Sequence, residues 1–136
     1  MPELDHIAHL HRNPDNPDHL MRLKMAGRRV RVVQGDTVLA DSDAATRVME
    51  VGRDFLDPVF YIPPDDLTAA LTPIPGKTTF CPLKGDASYF AAPGGPADVA
   101  VAWTYAEPLP HAAALKGLVA FYADQVTVEE VGGKQG

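Results

Sequence analysis

From Arg28 onward, apolar residues in this 136-residue chain alternate with polar ones and do not recur at helical spacing. Val30, Val32 and Val33 lead into Gln34-Gly35-Asp36, and residues 37–40 resume the extended pattern. This predicts a hairpin, with Gly35 supplying the backbone freedom of its turn. Further strands are predicted at 46–51, 58–62, 78–81 and 87–91. Pro93-Gly94-Gly95-Pro96 predicts a turn, and residues 98–105 form the clearest strand. Alternation there places Val99, Val101 and Trp103 on one face, with Ala100, Ala102 and Thr104 on the other. Residues 118–122 and 126–130 predict a closing hairpin around Asp124-Gln125.

Other stretches break the period. Asn16-Pro17-Asp18 reads as a helix start, with Asn16 as cap and Pro17 in the first turn. Leu20, Leu23 and Met25 supply its apolar stripe and Gly27 its stop, so this helix is expected to lie across the edge of the main domain. Pro63-Pro64-Asp65-Asp66-Leu67 opens another short helix, where the two carboxylates complement the positive end of the dipole. Residues 109–116 predict a third, ended by Gly117. Strands with inserted helices, without regular βαβ alternation, predict a mainly β (α+β) fold: curved antiparallel sheets with two or three short helices. Residues 1–27 read as an N-terminal extension, 28–131 as one domain and 132–136 as a mobile tail.

Composition narrows the function. Hydrophobic residues at 46% and charged residues at 22% are ordinary for a globular chain, while 13 prolines favour short elements and turns. A net charge of −6 gives no basic nucleic-acid face, although Arg28, Arg29 and Arg31 cluster locally. The single cysteine rules out an internal disulfide and a multi-cysteine zinc site. The start, MPELDHIAHLHRN, lacks the apolar centre of a signal peptide, and no run has the length of a membrane span. A cytoplasmic protein with neither a nucleic-acid nor a membrane partner is expected.

Candidate chemistry concentrates in residues 77–89, which hold Cys81, Lys84, Gly85 and Tyr89. An ammonium near a thiol favours the nucleophilic thiolate; the alternative is a cysteine packed as a small hydrophobe. Glu50, near the end of an apolar strand, needs a partner if buried, and Lys84 or Arg53 can provide it. Tyr61, Tyr89 and Tyr105 carry hydroxyls for a ligand and rings for a pocket wall. Trp103 reads first as core. Asp65 and Asp66 offer an anchor for a cation, though a helix start accounts for both. His6, His9 and His11 have chelating spacing in an N-terminal arm but read as an incidental surface cluster. His111 belongs near a helix start. There is no GxxxxGK[ST] loop, no GxGxxG after a strand and no paired-aspartate metal pattern, so no cofactor or metal is expected.

Several segments in order resemble a small bacterial and fungal family catalogued as domain of unknown function four-two-seven. They are Arg29-Val-Arg-Val32, Ala40-Asp-Ser42, Glu50, Tyr61-Ile-Pro-Pro-Asp-Asp66, Cys81-Pro-Leu-Lys-Gly-Asp-Ala-Ser-Tyr89, Ala102-Trp-Thr-Tyr105 and Ala120-Phe-Tyr-Ala-Asp-Gln-Val126. The resemblance implies a β-tent-like (Mss4-like) fold, in which two sheets meet along one edge and leave a cleft. Relatives of that architecture bind zinc through paired CxxC motifs, which this chain lacks. Pro64 stands where the family commonly has arginine. A nucleotidyltransferase-like label is attached to the family, but the motifs of this chain lend it no support. The expected function is binding of a small polar ligand in the cleft, with cofactor-free enzymatic chemistry as an extension. Lys84 would stabilise negative charge, Glu50 transfer a proton and Cys81 act covalently, with Tyr61, Asp66, Tyr89, Trp103 and Tyr105 as ligand contacts. A non-catalytic peptide or protein interaction module is the alternative. Exposed strand edges make a homodimer plausible in either case.

Overall fold

The computed structural model describes residues 10–52 and 57–131. His6, His9, Arg53 and the C-terminal tail lie outside the described residues. Among the described residues eleven strands form in order: β1 (Leu10–Asn13), β2 (Asn16–Met25), β3 (Arg29–Gln34), β4 (Thr37–Ser42), β5 (Thr46–Val51) and β6 (Val59–Tyr61), then β7 (Thr72–Cys81), β8 (Gly85–Ala91), β9 (Ala100–Thr104), β10 (Val119–Phe121) and β11 (Thr127–Val131). They assemble into two four-stranded sheets, β1-β2-β5-β6 and β10-β9-β8-β7, and a three-stranded sheet, β11-β3-β4. Every strand pairing is antiparallel.

The two larger sheets meet at their edges. Ile62, just past β6, exchanges both backbone hydrogen bonds with Val119 of β10, each at 2.8 Å. One core, around Val30, Val32, Leu39, Ile62, Val101 and Phe121, lies under the small sheet. The other joins Met21, Leu23, Val48, Tyr61, Leu83, Tyr89, Tyr105 and Leu115, and it brings the two larger sheets together.

The hairpin around Gly35 forms as expected, with Gly35 at φ +59° and Val30 opposite Ser42. The helix expected after Asn16 does not form; residues 16–25 are strand β2. Its local cue is present, because Asn16 Oδ1 accepts the Asp18 amide at 3.1 Å, but that bond serves a turn. Met21 and Leu23 are buried while Arg22 and Lys24 are exposed, a period of two that the wider Leu20–Leu23–Met25 spacing obscured.

The other two predicted helices are 3₁₀ segments. Pro64–Asp66 is a single turn, and Pro110–Leu115 contains a non-helical residue, Ala112, at φ −115° and ψ 20°. Prolines at 108 and 110 withhold backbone donors, and so short a segment cannot offset helix nucleation. The predicted closing hairpin is corrected as well: β10 pairs with β9, and β11 pairs with β3. The turn between them, where Gln125 and Val126 donate to the Tyr122 carbonyl, passes the chain from one sheet to another.

The alternation assigned to β9 breaks at a bulge. Ala91 faces Ala100 and Phe90 faces Ala102, so Val101 has no partner of its own on β8. Val101 and Ala102 therefore join the first core while Ala100 and Trp103 pack against the second. Without that extra residue Trp103 would share a face with Val101.

Candidate functional site

The seam between the two larger sheets carries the charge. In β5, Val48 and Glu50 point to the same side, and Glu50 lies opposite Met21 of β2. His19 is two residues before Met21, so the strand's pleat brings it to the same face, diagonal to Glu50. From the other sheet comes Lys84, in the turn between β7 and β8. Its backbone is held on both sides: its amide donates to the Cys81 carbonyl at 3.1 Å, and its carbonyl accepts from Leu109 at 2.9 Å. Gly85, at φ +116°, permits that turn beside Pro108 and Leu109.

Lys84 Nζ donates to Glu50 Oε1, and the Glu50 Oε2 atom lies 2.9 Å from His19 Nε2. Lys84 is only 6% exposed, whereas Glu50 and His19 keep 18% and 16% of their side chains accessible. The His19 tautomer follows from its neighbours. Asn13 Oδ1 accepts the Asp15 amide at 2.9 Å, which turns Asn13 Nδ2 toward His19 Nδ1 at 3.2 Å. An amide nitrogen only donates, so Nδ1 accepts, and the His19 proton sits on Nε2 and is donated to Glu50. Burial by itself raises the Glu50 pKa. The Lys84 charge, with hydrogen bonds from Lys84 and His19, outweighs burial and holds the carboxyl below its ordinary value.

Behind the pair lies a group of phenols. The Tyr61 and Tyr105 rings stack with centroids 6.4 Å apart, and Trp103 Nε1 donates to the Tyr61 hydroxyl at 3.2 Å. Burial pushes both phenols well above their ordinary range; Glu50 and Cys81 push Tyr61 further, against the Trp103 hydrogen bond, and neighbouring Tyr61, Cys81, Tyr89 and Glu50 act on Tyr105. Tyr89 shares a 2.6 Å hydrogen bond with Thr79, and Lys77 Nζ stands 5.0 Å above its ring. Cys81 is partly exposed at the end of β7 and packs against this second core.

The structure thus gathers Glu50, Lys84, Cys81, Tyr61, Tyr89, Tyr105 and Trp103 around one seam. Asp66 stands apart: it accepts from the Ser42 hydroxyl at 2.6 Å and borders a different hollow with Arg29 and Asp41. The seam is also tighter than an open cleft, because Tyr61, Lys84, Tyr89 and Tyr105 are at most 8% exposed. Solvent reaches it past Glu50, His19 and Cys81. His19 and Asn13 were absent from the sequence-derived candidates. The missed signal was the position of His19 in register with Met21 and Leu23, visible once residues 16–25 are read as a strand. His11 lies in β1, and His111 lies in the Pro110–Leu115 segment with its Nε2 buried and without a partner among the described residues. No group of three or more His, Cys, Asp or Glu side chains among the described residues is placed to hold a metal ion.

Fold and seam together define a small antiparallel β protein whose sheets are joined by a shielded ion pair under a cover of aromatic residues. The chain belongs to the family described as a domain of unknown function (DUF427), whose profile matches residues 22–132. No curated protein matches the chain. No helix among the described residues is long and apolar enough to cross a membrane.

Proposed function

We propose that this domain binds a small polar molecule bearing a carbonyl or carboxylate oxygen at the Glu50–Lys84 pair, without a cofactor. The observation that carries the reading is the buried Lys84 ammonium, whose hydrogen-bond partner among the described residues is Glu50 alone. An ammonium has three donors, so donors remain for a ligand oxygen in a setting where water is scarce. Partly exposed Glu50 and Cys81 form the approach. If turnover follows, Lys84 stabilises charge developing on the ligand oxygen, the Glu50 carboxylate takes up a ligand proton and returns it while the His19 Nε2–H holds it in place, and Cys81 is the candidate nucleophile. The β-tent-like description belongs to the same reading, supported by the Ile62–Val119 junction between the two sheets. Nucleotidyl transfer is less well supported, since it calls for carboxylates grouped around metal ions.

Native mass spectrometry of protein taken from cells, paired with iodoacetamide labelling of Cys81, tests this. We expect a retained small molecule, or a carbonyl or carboxylate compound from a panel, that slows Cys81 labelling, with Lys84→Met abolishing both effects. Binding that is unchanged in Lys84→Met and after Cys81 alkylation would overturn the reading. A second reading, an interaction module, is favoured by Phe80, which is 63% exposed on the edge strand β7. A concentration-dependent dimer in ultracentrifugation, lost in Phe80→Ser, would support it.

A further inference from the structure

A separate cavity of about 310 Å³ opens where the three sheets converge. Val32 and Val128 of the small sheet form one wall, Val59 and Phe60 of β6 another, and Trp103 and Tyr122 a third. Its size falls at the low end of small-molecule sites, roughly 300–1,000 Å³. The Trp103 and Tyr122 rings pack against each other, with centroids 4.5 Å apart and planes tilted by 46°, and both line the cavity. The hydrogen bond from Trp103 Nε1 to Tyr61 fixes the indole in place before any ligand arrives.

Among the described residues one charged group lines this aromatic hollow: Asp57, which is exposed at its margin and has no hydrogen bond or ion pair with any of them. Asp124 adds negative charge close enough to act on the Tyr122 phenol, whose pKa is pushed up to about 12, chiefly by burial. The chain as a whole carries −6.

We infer that this cavity is a binding site for a small organic cation of the quaternary-ammonium class, held against the wall that Trp103 and Tyr122 form together and paired with Asp57. Ring faces attract a cation through their quadrupoles, and a methylated ammonium gives up little hydration on entering an apolar pocket. A carboxylate at the rim supplies the opposite charge without being buried itself. This inference is independent of the ligand proposed at Lys84.

Trp103 is the sole tryptophan, so selectively excited indole emission reports on this wall; because the indole also meets Tyr61 of the seam, the Asp57 and Tyr122 variants assign the response to this cavity. We would titrate the full chain with choline chloride and with its uncharged isostere 3,3-dimethylbutan-1-ol, at matched ionic strength. The expected result is a saturable change with choline and at least tenfold weaker binding of the isostere. Asp57→Asn, an exposed change that leaves the fold intact, should weaken choline binding at least threefold. Tyr122→Leu should weaken it further, with the variant's thermal melt checked in parallel. Equal binding of alcohol and choline, undiminished binding in Asp57→Asn, or no saturable response would each overturn the inference.

Discussion

Removing the Lys84 ammonium tests the central interaction of the seam. Lys84→Met keeps most of the side-chain volume but leaves Glu50 facing the tyrosine cluster with His19 as its one partner among the described residues. Breaking a fully buried ion pair from one side costs about 3–5 kcal/mol. Glu50 keeps 18% of its side chain exposed and retains the His19 hydrogen bond, so we place the loss at about 2–3 kcal/mol. For a chain of this size that lowers the melting temperature by about 10 °C. Glu50→Gln should cost at least as much, because it strands the more deeply buried partner.

The double variant should cost clearly less than the sum of the two, since neither charge then remains alone, with a coupling of about 2 kcal/mol. Acid sharpens the test. In the native chain the Glu50 pKa is depressed below its ordinary 4.5, so its contribution is complete above that value and is lost as pH falls through the lowered folded value. Without Lys84 the burial effect dominates and the folded pKa rises, so the deficit of Lys84→Met should shrink as pH approaches 4. Urea denaturation of the four chains at pH 7 and pH 4 measures all of this. Single variants that add to within about 0.5 kcal/mol, or a deficit that does not change with pH, would refute the account.

Other outcomes follow from the same geometry. Tyr61 and Tyr105 have raised pKa values in the folded chain, so their contribution is complete below about pH 10 and is lost as pH rises from there toward the folded values; tyrosinate absorbance should rise together with unfolding, and Tyr61→Phe should reduce that alkaline loss. Asn13→Ala removes the bonds to Asp15 and His19 and should cost about 1–2 kcal/mol, while ¹⁵N spectra of His19 should show the Nε2–H tautomer in the native chain and a mixture in the variant. Gly85→Ala places a methyl 3.1 Å from the Leu109 nitrogen at φ +116°, and a thermal melt should show a loss of about 2–3 kcal/mol.

Where local chemistry decides the structure, the sequence could be read. Gln34-Gly35-Asp36 turns because its neighbours alternate, and the family segments mark a mainly β chain. Proline and asparagine misled at Asn16, because a side-chain oxygen capping an amide looks the same at a helix start and at a turn. Long-range pairing was not visible at all: nothing local says that β11 leaves β10 to join β3, or that one residue in β9 bulges. The same limit applies to the site. Glu50 was suspicious because a carboxylate beside Val48 and Val51 needs a counter-charge, and the buried one it meets is Lys84. His19 required knowing that its own strand lies beside β5.

The hairpin formed by β1 and β2 extends beyond the stretch that defines the family, which starts at Arg22. A shortened version beginning there would keep only the last residues of β2, leaving Val51 and Glu50 without the strand opposite them. Its exposed border would be sticky, and Glu50 would lose the imidazole that orients it. For this molecule the smallest faithful unit for binding or stability work therefore starts no later than Leu10.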